Sequence, residues 1–421
     1  MKLKNFGRAA LALAASAVTV LGMTSCSLSY TVGYLFVTGS QYNQIATYRI
    51  QNNNGFLRQS SIVGTGGTNP IQAVVTASGT YVYVLNYGTG TAASPQPSSI
   101  ALFSIGGHGG LTYQTSFTPK GLNTKNIEIS GGFLYALDEL APGPGGPGPG
   151  GIQSYGDISA FSIDGATGRL TAIPNTQQTD QNNLPLYYFP VGTNPTWLAV
   201  NGAFAYIAEQ GPVGSTDPND PPQAIFTYNA NASNGQLTLT QSTPLPTGAT
   251  QLTFLYATAQ YIYALDAGPT GSTGFILPFT GSGGTLSAVT GASRANNGQG
   301  SSPVFPSRMI KETSHSYLWV SSQGVNTTNG TPGSLLTAYV VNSLGQLNDA
   351  SNGKNKIPVG TGPRCIVEDP SNQYVYTANF DDSTMTGKKI DQAAGGLDAL
   401  PKELPAPPGS PTWCTVTGST F

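Results

Sequence analysis

The chain has 421 residues, a net charge of −2, only 9% charged residues, and 54 glycines beside 31 prolines. The absence of a basic cluster excludes nucleic acid as a partner. The glycines and prolines alternate with β-branched and aromatic runs, which excludes a disordered chain and places turns between many short strands.

The N-terminus reads as a targeting segment. Lys2, Lys4 and Arg8 form a positive n-region and Ala9 to Leu21 an apolar one. Leu21-Gly22-Met23-Thr24-Ser25-Cys26 resembles a bacterial lipobox, with Met23 where leucine is commoner. The resemblance implies cleavage before Cys26, lipidation of its thiol, and an exported protein tethered to a membrane by an acyl anchor. An ordinary signal peptide with an incidental cysteine is the alternative. The expected organisation is a leader over 1–25, an anchor linker over 26–33, and one domain over 34–421. Beyond the leader no segment is long and apolar enough to span a membrane.

From there one phrase repeats seven times. Aromatic strand-like runs begin at Tyr34, Tyr81, Phe133, Phe204, Tyr261, Tyr317 and Tyr374. Each is followed by a Gly-x-Leu turn, beginning at Gly55, Gly109, Gly168, Gly235, Gly284, Gly345 and Gly395. A repeat of this length with several strands per unit is the signature of propeller blades. The unit is clearest at the last repeat: a Gly360–Pro363 turn, an inner strand Arg364–Glu368, a hairpin turn Asp369–Gln373, a second strand Tyr374–Asn379, and a third near Lys388–Asp391. The first repeat lacks an inner strand, and the chain finishes on a lone one, Gly409–Gly418. The expected fold is therefore all-β, a seven-bladed propeller closed by the C-terminal strand pairing into the N-terminal blade, which leaves no open sheet edge.

The repeat also sorts the polar residues. The ends of the second strands, Asn86, Asp138-Glu139, Glu209, Asp266, Ser322 and Asn379, are expected to form one ring. Gln72, Asn126, Trp197, Gln251, Arg308, Cys365 and Trp413 at the blade entries form a second, with Arg364 beside it. Both rings share a face with the longest loops, Ala141–Gly151, Gly211–Pro222, Gly268–Gly274 and Gly324–Gly333. His108 and His315 fall in turns of the opposite face, so a His-based triad or metal centre at the mouth is not expected. The turn Asp217-Pro218-Asn219-Asp220 has too few ligands for a dedicated calcium site. No cofactor fingerprint is present. Cys365 and Cys414 lie on inner strands of neighbouring blades in an exported chain. They form either a disulfide or two buried thiols.

The runs YVYVLN and YVYTAN, the Gly-x-Leu turns and the GTGPR entry resemble the seven-bladed propeller lactonase family, which includes 6-phosphogluconolactonase-like enzymes and Tyr-Val-Thr-Asn repeat surface proteins. The resemblance covers about Tyr34 to Gly418. It implies a lactone hydrolase. Gly362-Pro363-Arg364 matches the family's entry motif, which continues with His where this chain has Cys365. In that reading Arg364 and Arg308 bind the carbonyl oxygen or a carboxylate, and Glu209 or Asp266 activates water. Asp138, Glu139, Asn86, Asn379, Trp197 and Trp413 contribute to binding. The alternative is a non-catalytic, monomeric surface module that presents Tyr87, Trp197, Trp413 and its loops to a glycan, peptide or protein.

Overall fold

The structure, a computed structural model, describes residues 29–419 apart from 92, 143–154, 212–222, 247, 250, 269–273, 290–293, 296–303, 314, 325–333 and 351–354. The leader over 1–25, Cys26, the acidic turn over 217–220 and most of the four long loops lie outside the described residues.

Seven antiparallel sheets follow one another around a central channel. In blades one to seven the inner strands are Pro411–Gly418, Pro70–Val75, Leu122–Ser130, Pro195–Val200, Leu252–Ala257, Val304–Lys311 and Pro363–Glu368. The second strands are Thr31–Gly39, Tyr81–Asn86, Phe133–Leu140, Phe204–Glu209, Tyr261–Asp266, Tyr317–Gly324 and Tyr374–Asn379. Two boundaries differ from expectation. Blade one starts at Thr31, inside the segment read as a linker, and the third strand of blade seven is Thr384–Ile390. Outer strands are less regular. In blade three the outer position is shared by Leu170–Ala172 and Phe189–Pro190, and the chain between them forms a separate hairpin, Asn175–Thr179 with Pro185–Leu186.

The repeated phrase has a physical basis in the contact between blades. All seven glycines of the Gly-x-Leu turns have positive φ, from 66° at Gly55 to 81° at Gly284, where a side chain is strained. Each also lies flat against the aromatic ring that opens the second strand of the preceding blade. A Cβ on Gly109 would stand 2.6 Å from Cδ1 of Tyr34, and one on Gly345 2.5 Å from Cε1 of Tyr261. The series closes with Gly55 of blade one against Tyr374 of blade seven. Several glycine carbonyls are used as well. Tyr83 and Tyr376 hydroxyls donate to the carbonyls of Gly168 and Gly55 at 2.6 Å, and Trp319 Nε1 donates to that of Gly395 at 3.0 Å. The rings and the aliphatic residues of adjacent sheets form the buried core, and its hydrophobic clusters span blade interfaces, one of them running from blade four through blade six.

Closure is by the C-terminal strand. Pro411–Gly418 pairs antiparallel with Thr31–Gly39, with Leu35 opposite Val416 and Val37 opposite Cys414. Thr412 Oγ1 also donates to the carbonyl of Pro70 in blade two at 2.6 Å. Cys414 forms a disulfide with Cys365 of blade seven across a Cα separation of 5.7 Å. The bridge closes a loop of 49 residues; the chain-entropy relation puts the stabilisation at about 4 kcal/mol.

The glycine contact leads to a paired test by denaturant unfolding. Gly345→Ala is expected to destabilise by about 2–4 kcal/mol, because left-handed strain adds to overpacking against Tyr261. Gly131→Ala, at φ 57° with nothing within 4 Å of its Cβ, is expected to lose only about 1 kcal/mol. Equal losses would show that the ring contact contributes nothing.

Candidate functional site

The polar ring at the ends of the second strands is built as expected in position. Asn86, Glu209, Asp266, Ser322 and Asn379 stand opposite the entry residues Pro70, Pro195, Leu252, Pro306 and Pro363. Its chemistry is turned inward. Glu209 accepts the N–H of Gly192 at 2.7 Å, and Asp266 accepts those of Gln251 and Gly268 at 2.8 Å. Asn86 donates to the carbonyl of Thr65, and Asn379 donates to Thr384 and Thr386. Asp138 accepts from Gly121, Thr124 and Ser159. Asn86, Asp138, Glu209 and Asp266 bond backbone groups of the entry turns and Asn379 bonds threonine hydroxyls, and none of the ring residues lines the mouth of the channel. Of the two proposed water-activating carboxylates, the structure therefore brings neither Glu209 nor Asp266 to Arg364.

The mouth is a pocket of about 280 Å³ lined by Arg308, Arg364, Lys125, Trp197, Gln72 and Phe380, with Ser40, Asn69, Ile71 and Thr412 completing it. Arg364 is exposed, its guanidinium 4.9 Å from the centre of the Phe380 ring. Lys125 pairs with Glu139 at 2.9 Å, and Asn123 donates to the same carboxylate oxygen at 3.2 Å. No carboxylate and no histidine is among the lining residues. His315 stands on a hairpin turn beside Glu312 and Tyr317, and His108 in a single 3-10 turn at Gly107–Gly109. Among the described residues no three His, Cys, Asp or Glu side chains gather as a metal site.

Arg308 forms the floor. Its guanidinium lies 4.6 Å from the Trp197 ring, 5.2 Å from Phe254 and 5.3 Å from Trp413. Trp197 and Trp413 stack on one another at 5.9 Å. Nη1 donates to the carbonyl of Ser307 at 2.6 Å, and Nε has no partner. Burial, and then the like charge of Arg364, hold this guanidinium below its ordinary range, at about 9; it is charged at neutral pH, and the surrounding π-faces offset part of the desolvation. Gln72 Oε1 accepts the N–H of Ile127 at 2.7 Å, while its Nε2 is buried without a partner. The pocket thus presents cations and two unsatisfied donors, which is the complement of an anionic acceptor.

Of the residues singled out in the sequence, Arg364, Arg308, Gln72 and Trp197 meet here, and Trp413 packs beneath them. Lys125, Phe254 and Phe380 were missed. Thr124-Lys125-Asn126 occupies the register of Pro363-Arg364-Cys365, so aligning inner strands would have found Lys125. In blade five the entry ring is occupied by Phe254, not Gln251: Leu252 pairs with Asp266 and Phe254 with Leu265, leaving Gln251 ahead of the strand. The entry of that blade lacks the Gly-x-x-Pro landmark that fixes the register in blades two, four and seven.

Buried carboxyl groups give the protein an acid-favoured stability. Burial pushes Glu209 up to about 8, with the Gly192 hydrogen bond opposing it. Burial also raises Asp138 and Asp157, and the neighbouring Asp138 charge raises Asp157 further. A folded-state value above the unfolded one gives stability that is complete below about pH 4 and is lost as pH rises through 7 to 8. Thermal unfolding is expected to show a higher midpoint at pH 5 than at pH 8.5. Glu209→Gln, which keeps the acceptor for Gly192, should narrow that difference; an unchanged or reversed pH dependence would contradict it.

No protein-family model and no curated protein sequence matches the chain. Solved structures match over nearly all of it. A "putative 6-phosphogluconolactonase" from Bacteroides fragilis superposes with a TM-score of 0.65 at 15% identity, covering 92% of this chain and 98% of that one. A protein of the same designation from Bacteroides uniformis gives 0.66 at 12%, covering 92% and 100%. The periplasmic gluconolactonase of Pseudomonas aeruginosa gives 0.65 at 14%, covering 92% and 99%. At these identities the likeness is one of fold: the chain has the seven-bladed propeller architecture of these lactonase-designated proteins.

Proposed function

We propose that the protein is an exported propeller that binds a small carboxylate- or phosphate-bearing molecule, such as a sugar acid, at the loop-side mouth. The observation that carries this reading is the convergence of Arg308, Arg364 and Lys125 on one pocket that no carboxylate lines. A carboxylate or phosphate supplies acceptors to the guanidinium and ammonium groups and neutralises the excess positive charge. The side chain of Phe380 and the Trp197 ring give the apolar surface on which a sugar ring packs.

A second reading, lactone hydrolysis, is supported by the fold shared with a protein named as a gluconolactonase. In this reading Arg364 and Lys125 polarise the ring carbonyl. Water adds to the carbonyl carbon, the ring C–O bond breaks, and a hydroxy acid is released. Glu139 lies behind the lining and pairs with Lys125, and in this reading it is the carboxylate that takes the proton from water. It replaces Glu209 and Asp266 in that role.

Calorimetric titration with an aldonate and a phosphorylated aldonate, followed by a lactone panel, separates the two readings. Saturable binding that weakens at least tenfold in Arg364→Ala and in Lys125→Ala, with no binding of the neutral sugar, is expected. Turnover above buffer that falls in Arg364→Ala and Glu139→Gln would establish hydrolysis as well. If neither anion binds, the mouth is not the ligand site.

Export and anchoring complete the reading. The leader, the lipobox-like segment and the Cys365–Cys414 disulfide all suit an oxidising compartment outside the cytosol. Cys26→Ser is expected to move the protein from the membrane to the soluble fraction of fractionated cells. Retention at the membrane would show that the tether lies elsewhere.

A further inference from the structure

Arg308 and its aromatic cage divide the channel. Beneath them lies a second cavity of about 330 Å³ that shares only Gln72, Trp197 and Arg308 with the mouth. It runs down to Val75, Val200 and Ala257, the last residues of their inner strands, and so toward the face opposite the mouth. Its volume is at the lower end of the range for small-molecule sites.

The walls are mostly aliphatic: Val74, Ala199, Ile310 and Val367, with the Cys365–Cys414 bridge beside them. Below the shared Gln72 and Arg308, the polar side chains of Glu128, Tyr256 and Thr415 on the inner strands break that surface. Glu128 and Tyr256 both line the cavity, and each keeps part of its surface exposed although it lies deep in the protein, because that surface faces the channel. Asn126 is the side-chain hydrogen-bond partner of Glu128, and no Lys or Arg among the described residues pairs with it. The Asn126 amide is itself committed to the backbone of Leu198, at 2.8 Å and 3.0 Å. Tyr256 accepts the N–H of Lys311 and lies in the field of both Glu128 and Glu368. Glu368 accepts from Thr313, and its Oε1 has no partner.

Below the Arg308 layer the lower cavity therefore carries a carboxylate where the mouth carries Arg364 and Lys125. A carboxylate this deep is costly unless a cation or hydrogen-bond donors reach it. The two cations nearest it are engaged elsewhere: Arg308 forms the roof of the cavity within its aromatic cage, and Lys311 Nζ donates to the carbonyls of Glu312 and His315. Burial accordingly favours the protonated acid, raising it to about 8 when the cavity is empty.

We propose that this lower cavity is a second ligand site, specific for a small organic cation: an ammonium group at Glu128 and Tyr256 carrying a compact apolar body against Val74, Ile310 and Val367. The ammonium provides the donors that Glu128 lacks, and the apolar body fills the aliphatic walls. An ammonium stabilises the ionised form of Glu128, which an anion cannot do, so the two ends of one channel discriminate by charge.

The chain contains its own reporter. Of its 3 tryptophans, Trp197 and Trp413 line this cavity, and Trp319 lies elsewhere, in the core of blade six. Titration of the whole mature protein with cyclohexylammonium, followed by tryptophan fluorescence, should give a saturable change. Cyclohexanecarboxylate, of the same shape and opposite charge, should give none. Glu128→Gln should weaken the ammonium at least tenfold, with thermal unfolding confirming that the variant is folded. Arg364→Ala should leave ammonium binding unchanged, which keeps this site distinguishable from the mouth. If Glu128→Gln fails to fold, the amine-against-carboxylate comparison in the wild-type protein decides alone. Equal response to both probes, undiminished binding in Glu128→Gln, or no saturable response would each overturn the proposal.

Discussion

The fold depends on one contact repeated around a ring: a glycine held at positive φ, packed flat on an aromatic ring of the preceding blade. Each blade presents the ring on its second strand and the glycine on its third-to-outer turn. Neither surface is satisfied within its own sheet. A blade is therefore completed only by its neighbours on both sides, and the series is satisfied only when it returns to its start, with Gly55 on Tyr374. Stability of this kind lies in interfaces more than in units, as in other repeat architectures. It also explains why the two halves of the repeated phrase recur together although tens of residues separate them.

That ring of interfaces leaves the inner strands free to vary, and the channel uses the freedom. Positions that are equivalent by register carry glutamine, asparagine, tryptophan, phenylalanine, arginine, cysteine and tryptophan in turn. Gln72 and Asn126 reach sideways and bond the next inner strand. Cys365 and Cys414 bond covalently. The three aromatic residues surround Arg308, which fills the centre where the strands leave a gap. A single layer thus holds the ring together across its axis, with Arg364 and Lys125 above it and Glu128 below.

The architecture was legible in the sequence because the glycine–aromatic contact demands the same two residue types seven times. The closing strand was legible for the same reason: Gly409–Gly418 repeats the pattern of an inner strand without a blade of its own. Polar residues on second-strand ends were equally legible in position, but their roles were not. Glu209 and Asp266 look the same in sequence whether they face a ligand or a backbone amide, and only the path of the entry turn decides between them. Lys125 escaped notice because Leu122–Ser130 lacks a proline to mark its start, although its register matches that of Arg364. The arginine cage assembles from four separate blades, and no local pattern announces such a set. The disulfide stood between these cases: the neighbouring strands were evident, the side-chain directions were not.

The closing strand has a consequence for the order of events in making the protein. The pairing of Thr31–Gly39 with Pro411–Gly418 joins segments from opposite ends of the described chain. Blade one cannot acquire its inner strand until the last segment emerges, and the Cys365–Cys414 bond cannot form before then either. Such long-range pairing slows folding. During that interval the inner-facing edge of Thr31–Gly39 stands open, offering unpaired backbone groups to any neighbouring chain. A chain that crosses a membrane from its N-terminus onward would meet the far side with its first blade incomplete and its last strand still to come. The lifetime of that open ring, rather than the strength of the closed one, then sets how much of the protein is lost to association on the way.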